Sequence, residues 1–184
     1  MNKLILLLVI TFLMLGCKTR QPLTHSNISG NGNESQASAT NFSDQMTWVL
    51  GYFTPDRIKS APHSEWYFKG YDTYKPDQDI VNKLTVINTE NVTIKIILGT
   101  WCPDSRREVP RFIKIIDMWK FPPDKITYIG VDDAKLSPVA EYSGLDIQRV
   151  PTFIIYINNV EAGRIIENPV TSLEQDILNI LAKE

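Results

Sequence analysis

Cysteine is scarce in this chain: its 184 residues hold two, Cys17 and Cys102. Cys17 closes an apolar N-terminal leader, so the rest of the protein has a single thiol and no internal disulfide, which excludes the disulfide-stapled class of small domains. Charge of one sign is also lacking. With 19 Lys and Arg against 21 Asp and Glu, the formal net charge of −2 gives no electrostatic case for nucleic acid or for an anionic membrane surface. Only two histidines occur, His25 and His63, and neither has partner ligands at metal-binding spacing, so no metal is expected. There is no phosphate-binding glycine loop, no nucleophilic serine motif and no repeat of 20–50 residues; no cofactor is expected. What is present is ordinary: 43% hydrophobic and 22% charged residues, enough for one packed domain with tails.

The N-terminus departs from this average. A short positive start, Met1-Asn2-Lys3, precedes an apolar run over 4–15 and then Gly16-Cys17. The run falls short of the roughly twenty residues that a membrane-crossing helix needs and has the layout of a secretory signal. A small residue directly before a cysteine resembles the lipobox of bacterial lipoproteins, which implies cleavage before Cys17 and lipidation of that residue. Met14 stands where that motif usually has leucine, and a plain signal peptide with a chance cysteine is the simpler alternative. Residues 18–41 are rich in Ser, Asn, Gly, Thr and Gln, too polar to bury a core, and read as a flexible tether. The expected organisation is a leader over 1–17, a tether over 18–41 and a domain over 42–184, with its core from about residue 66. Asn-x-Ser/Thr triplets at Asn27, Asn33, Asn41 and Asn91 carry little weight behind a bacterial-type leader.

Within the domain, residues 44–53, with Met46, Trp48, Val49 and Phe53, read as a short helix. Trp66-Tyr67-Phe68 reads as a first strand and 77–86 as a helix. Residues 92–98, VTIKIIL, are β-branched and almost wholly apolar, the pattern of a buried central strand. A helix follows from Pro103 to about Trp119, with Val109, Phe112, Ile113 and Ile116 on its core face and Pro110 inside it as a kink. ITYIGV over 126–131 reads as the next strand and 137–142 as a short helix. TFIIYI then turns at Asn158-Asn159, residues that tolerate positive φ, into VEAGRII. Thr171-Ser172-Leu173-Glu174 reads as a capping box for a last helix facing inward through Leu173, Ile177, Ile180 and Leu181. The predicted order is β-α-β-α-β-α-β-β-α.

The chemistry is concentrated in GTWCPDSRREVP, residues 99–110. Cys102 stands at a strand-to-helix junction, where unpaired backbone N–H groups and the helix dipole favour a thiolate, the form that attacks disulfides. Pro103 suits the first helical position. Trp101-Cys102-Pro103-Asp104 at such a junction, Pro110 eight residues after the cysteine, Val150-Pro151-Thr152-Phe153 before a strand, and a hairpin at Asn158-Asn159 together resemble the thioredoxin-fold family over roughly residues 66–184. The resemblance implies an α/β thioredoxin fold: a central mixed sheet flanked by helices, here with an N-terminal extension. It also implies that Cys102 is the reactive thiol, that Pro151 is a cis-proline opposite it, and that Trp101, Pro103, Asp104, Val150, Pro151 and Thr152 form the client-binding surface, with the Val150 backbone free to pair with an extended peptide.

The departures matter as much. Where the family keeps a second cysteine, this chain has Ser105, and where it keeps a buried acid, it has Ile96. Ser105 is expected to donate a hydroxyl hydrogen bond to the thiolate. Arg106 and Arg107 add positive potential if they fold back, and Asp104 opposes them; a thiol more acidic than a free cysteine is expected. Glu167-Asn168-Pro169 follows the hairpin in place of the glycine that lets a client approach. A lone thiol can form a mixed disulfide but cannot release it from within. The expected partners are therefore exported protein thiols or disulfides, an external thiol reductant, and the membrane through the lipid anchor, in the bacterial cell envelope outside the cytoplasm. Two alternatives stand: a non-catalytic binding module of the same fold, with Cys102 kept for packing, and a partner surface on the extension over 44–77.

Overall fold

The computed structural model describes residues 47–182. The predicted leader, the lipidation site Cys17 and the predicted tether lie outside the described residues. The chain order is β1 (Gly51–Phe53), α1 (Asp56–Lys59), α2 (Ser64–Thr73), α3 (Gln78–Thr85), β2 (Val92–Leu98), α4 (Pro103–Trp119), β3 (Ile126–Gly130), β4 (Thr152–Ile157), β5 (Val160–Ile166) and α5 (Leu173–Leu181), with 3₁₀ turns at Pro123–Lys125 and Ala140–Leu145. Five strands form one mixed sheet in the order β1-β3-β2-β4-β5. The β2–β3 pair is parallel; β1–β3, β2–β4 and β4–β5 are antiparallel. Among the described residues no helix is long and apolar enough to cross a membrane.

The central position of β2 follows from its composition. Ile94, Ile96 and Leu98 point to one face, where they meet Phe112 and Ile116 of α4, Leu84 of α3 and Ile177 of α5. Ile97 points to the other, with Ile129, Val131 and Ile154. Thr93 and Lys95, earlier on that second face, are exposed and partly buried, so β2 is covered on both sides only at its C-terminal end. The first face carries the larger core, in which the rings of Phe112 and Phe153 stack with centroids 4.1 Å apart. The second face is covered by the 3₁₀ turn and its flanks, through Val139, Tyr142 and Leu145.

Helix α4 begins at Cys102, its N-cap, with Pro103 at the first helical position, and carries Pro110 inside it. It ends where Lys120 takes a left-handed conformation and the Phe121 N–H bonds to the Ile116 carbonyl at 3.1 Å, a closure that satisfies carbonyls left open by the last turn. In α3, Asp77 caps the helix, its carboxylate accepting from the N–H groups of Asp79 and Ile80. The β4–β5 turn uses Asn158 and Asn159, both at positive φ.

Several expectations need correction. Trp66-Tyr67-Phe68 is not a strand but part of α2. An aromatic run has strand propensity, yet the helical rotation of 100° per residue separates the three: Tyr67 is 1% exposed and stacks on Tyr71 one turn later, while Phe68 is 47% exposed. Nor is there a helix between residue 47 and Phe53. Gly51 sits at φ +75 and the chain runs on as β1 against the open edge of β3, with Gly51 opposite Gly130. That pairing depends on Gly130, because a Cβ there would lie 2.0 Å from the Val49 carbonyl oxygen. Residues 44–46 are outside the described range. The short helix expected over 137–142 is instead the 3₁₀ turn at Ala140–Leu145. The last helix is capped by Ser172 accepting from the Gln175 N–H, not by a box from Thr171 to Glu174. Thr171 donates to Asp176, and Glu174 accepts from the Tyr74 hydroxyl and the Asp77 N–H, tying α5 to the chain entering α3.

Two predictions concern stability. Phe153→Ala removes half of the stacked pair from a fully buried position and should cost about 3–5 kcal/mol, read as a lower denaturant midpoint at unchanged slope. His63 is 3% exposed, with Nε2 2.9 Å from the Thr47 carbonyl. Burial, assisted by the charges of Arg57 and Arg106, holds its pKa below the ordinary 6.5 against the opposing bond to Thr47. Below pH 6.5 the unfolded chain takes up a proton that the folded one refuses, so stability falls as pH drops through that window. Melting curves between pH 7.5 and about 5 should show the decline, and His63→Gln should flatten it.

Candidate functional site

The turn between β2 and α4 is built by its own backbone. The Cys102 N–H bonds to the Gly99 carbonyl at 2.9 Å, and the Cys102 carbonyl accepts the Arg106 N–H at 3.0 Å as the first helical bond. The side chains close the same turn. Arg106 Nε donates to the Thr100 carbonyl at 2.6 Å. Trp101 Nε1 donates to the Val131 carbonyl at 3.0 Å, past the end of β3. Its indole lies so close over Gly99 that a Cβ there would come within 2.5 Å of the ring.

Cys102 is the one cysteine among the described residues and is free. Its Sγ is 3.2 Å from the Val150 carbonyl oxygen, placed for the thiol to donate to it. The residue is only 7% exposed and joins the apolar cluster of Ile129, Val131, Tyr142 and Val150. The Val150–Pro151 peptide is cis. Thr152 opens β4 opposite Ile97 and turns its hydroxyl back to the Arg149 carbonyl at 2.6 Å, while the Pro151 carbonyl accepts the Glu167 N–H at 2.8 Å. The two segments singled out in the sequence, 101–105 and 150–152, therefore meet across the sulfur, although nearly fifty residues separate them.

Ser105 does something other than expected. It is fully buried, and its Oγ accepts the Gly99 N–H at 3.3 Å. That bond braces the turn from the helix side and does not bring the hydroxyl to the thiol. Asp104 faces along the helix rather than toward the sulfur, forming an ion pair with Arg107 at 2.7 Å. Arg107 is also held by the buried Glu108, at 2.5 Å, and by Asn168. These carboxylates, Glu108 foremost, raise the pKa of the guanidinium. Of the two arginines, only Arg106 folds back on the turn. Pro103 is exposed and Trp101 half-buried at the rim.

Sequence reasoning did not single out Thr100, and it named Trp48 and Val49 only as part of an expected helix and of a possible partner surface over 44–77. The Val49 N–H donates to Thr100 Oγ1 at 3.2 Å, and the rings of Trp48 and Trp101 lie 6.3 Å apart at 52°. The contact joins residues 51 apart in sequence, and no local pattern signals it; Trp101 reads as part of the client-binding surface and Trp48 as part of the extension, with nothing to connect them. Among the described residues no group of three or more His, Cys, Asp or Glu could hold a metal ion, and His63 instead anchors the arm through Thr47.

No protein-family model and no curated protein matches the chain. Among solved structures, a protein of unknown function from Pseudomonas aeruginosa is similar at 14% identity, over 65% of this chain and 79% of that one, with a TM-score of 0.44.

Proposed function

We propose that the domain is a thioredoxin-like fold and that it exchanges disulfides with exported proteins through the single thiol of Cys102. The observation that carries this reading is the placement of Cys102 at the N-cap of a helix, with its Sγ 3.2 Å from the Val150 carbonyl, next to Pro151. The attacking species is the thiolate, which cannot donate this bond, so the contact with the Val150 carbonyl breaks as the sulfur reacts. Val150, Pro151 and Thr152 are buried, and the Val150 and Pro151 carbonyls are engaged by Cys102 and Glu167, so a client pairs with this backbone only by displacing those contacts. The reaction runs in one direction at a time: the Cys102 thiolate attacks one sulfur of a client disulfide, a Cys102–client disulfide forms, and the other sulfur leaves as a thiolate. Release then needs the client's second thiol or an external thiol. The leader, the lipid anchor at Cys17 and a place in the bacterial envelope belong to the same proposal.

A second reading, a binding module without turnover, is favoured by the 7% exposure of Cys102 and by the engagement of Ser105 with Gly99 instead of the sulfur. The two readings part in one experiment. With an oxidised model peptide at neutral pH, the wild type should give a covalent adduct that reductant removes and Cys102→Ser does not form. A binding module gives no adduct and retains its partners equally well in Cys102→Ala.

Ser105 supplies a further test. In Ser105→Ala the Gly99 N–H is left buried without an acceptor, which should cost about 1–3 kcal/mol of stability, while adduct formation by the folded fraction persists. Loss of adducts at unchanged stability would instead assign the hydroxyl to the thiol.

A further inference from the structure

The reading of Cys102 as an exchanging thiol fixes one further thing: a client's cysteine must reach that sulfur, so the residues beside it must cross the rim of the site. Trp101 directly precedes Cys102, and Trp48 lies against Trp101 with ring centroids 6.3 Å apart. Trp101 is held by its bond to the Val131 carbonyl and by its seat on Gly99. Trp48 is presented by an arm pinned on both sides, through Thr47 to His63 and through Val49 to Thr100. Both indoles are half-buried, so each keeps an open surface. The apolar surface continues outward from Trp48: Leu50 and Tyr52 are 48% and 56% exposed, and together with Phe53 and Arg57 they line a surface cavity of about 450 Å³ that begins at Trp48. Arg57 forms no ion pair among the described residues, so the far end of this path carries unneutralised positive charge.

We propose that Trp48 is a specificity-determining residue for the exchange reaction, selecting clients whose cysteine is flanked by apolar side chains. Large aromatic rings held rigid beside a reacting atom lose little conformational freedom when they are covered, and rigid, partly desolvated rings are where binding energy concentrates in interfaces. The occupant is an extended peptide segment with an apolar residue next to its cysteine. A basic flank is disfavoured by Arg57. Trp48 acts on the encounter and touches no reacting atom.

The test uses the full chain carrying Cys17→Ser, so that Cys102 is its single thiol and this background serves as the wild type, and two blocked pentapeptides, alike except that their single cysteine is flanked on both sides by leucine or by serine. Each is supplied as its mixed disulfide with thionitrobenzoate. The Cys102 thiolate attacks the peptide sulfur, the Cys102–S–S–peptide bond forms, thionitrobenzoate leaves with the electron pair of the broken S–S bond, and the Cys102 proton passes to solvent. The released thionitrobenzoate gives the rate by its absorbance. Only the ratio of the two rates within each protein is compared. In the wild type the leucine peptide should react about three- to tenfold faster. In Trp48→Ala the ratio should fall toward one, and in Trp48→Phe, which keeps an aromatic face, most of it should return. Equal rates for both peptides in the wild type, or the same preference in Trp48→Ala, overturn the proposal while leaving the exchange reading standing. No release from either peptide overturns the exchange reading and this proposal together.

Discussion

Four hydrogen bonds around one turn hold the site together. Gly99 to Cys102 carries the chain from the middle strand of the sheet into its longest helix, and four contacts close it: the Gly99 N–H is taken by Ser105, its carbonyl by the Cys102 N–H, the Thr100 carbonyl by Arg106 and the Thr100 hydroxyl by the Val49 N–H. A buried backbone group left open would cost as much as a lost hydrogen bond, so this closure is a condition of having a turn here at all. Once it is closed, the sulfur has little choice of position. The N-cap conformation of Cys102 directs its side chain across the sheet end toward the segment that opens β4, and the Val150 carbonyl is what it meets.

The charged side chains at the start of α4 are spent on one another and on the main chain. Asp104, the nearest carboxylate in sequence, is turned to Arg107, which also takes Glu108 and Asn168, and Arg106 is turned to the Thr100 carbonyl. The cluster on Arg107 joins α4 to the loop after β5. Ionic groups on this helix therefore hold the scaffold of the site. The same use appears on α5. Glu174 and Asp176, both buried, spend their oxygens on the main chain and on hydroxyls: Glu174 on the Tyr74 hydroxyl and the Asp77 N–H that enters α3, Asp176 on the N–H groups of Val170 and Thr171 and the Thr171 hydroxyl, just before its own helix.

The parts of this architecture written in local sequence were legible in it. VTIKIIL is a central strand, buried throughout on the face of Val92, Ile94, Ile96 and Leu98 and, on the other, only at Ile97; the periodic face of α4 packs as its spacing requires; Asn158 and Asn159 take the positive φ that asparagine tolerates. The proximity of 101–105 to 150–152 was expected from the resemblance and is present in the geometry. What failed shares one cause. Residues 66–68 were assigned by the strand propensity of aromatics, but their state is decided by packing against α4. The arm before β1 was assigned by its apolar spacing, but it is an edge strand because β3 has a free edge and Gly130 leaves room for it. Ser105 was read by its distance from the cysteine along the chain, and only the fold reveals that Gly99 lies nearer to its hydroxyl.

Ser105 bears on the exchange proposed for Cys102. Its hydroxyl is fully buried and accepts from the main chain, so it serves the turn, and a hydroxyl cannot resolve a mixed disulfide. If Cys102 exchanges as proposed, the second thiol comes from outside the protein, and the lifetime of a covalent complex is set by what arrives rather than by what the protein carries. The 7% exposure of Cys102 sets a further condition: the sulfur is covered and engaged with the Val150 carbonyl, so a client disulfide meets it only after that contact is given up.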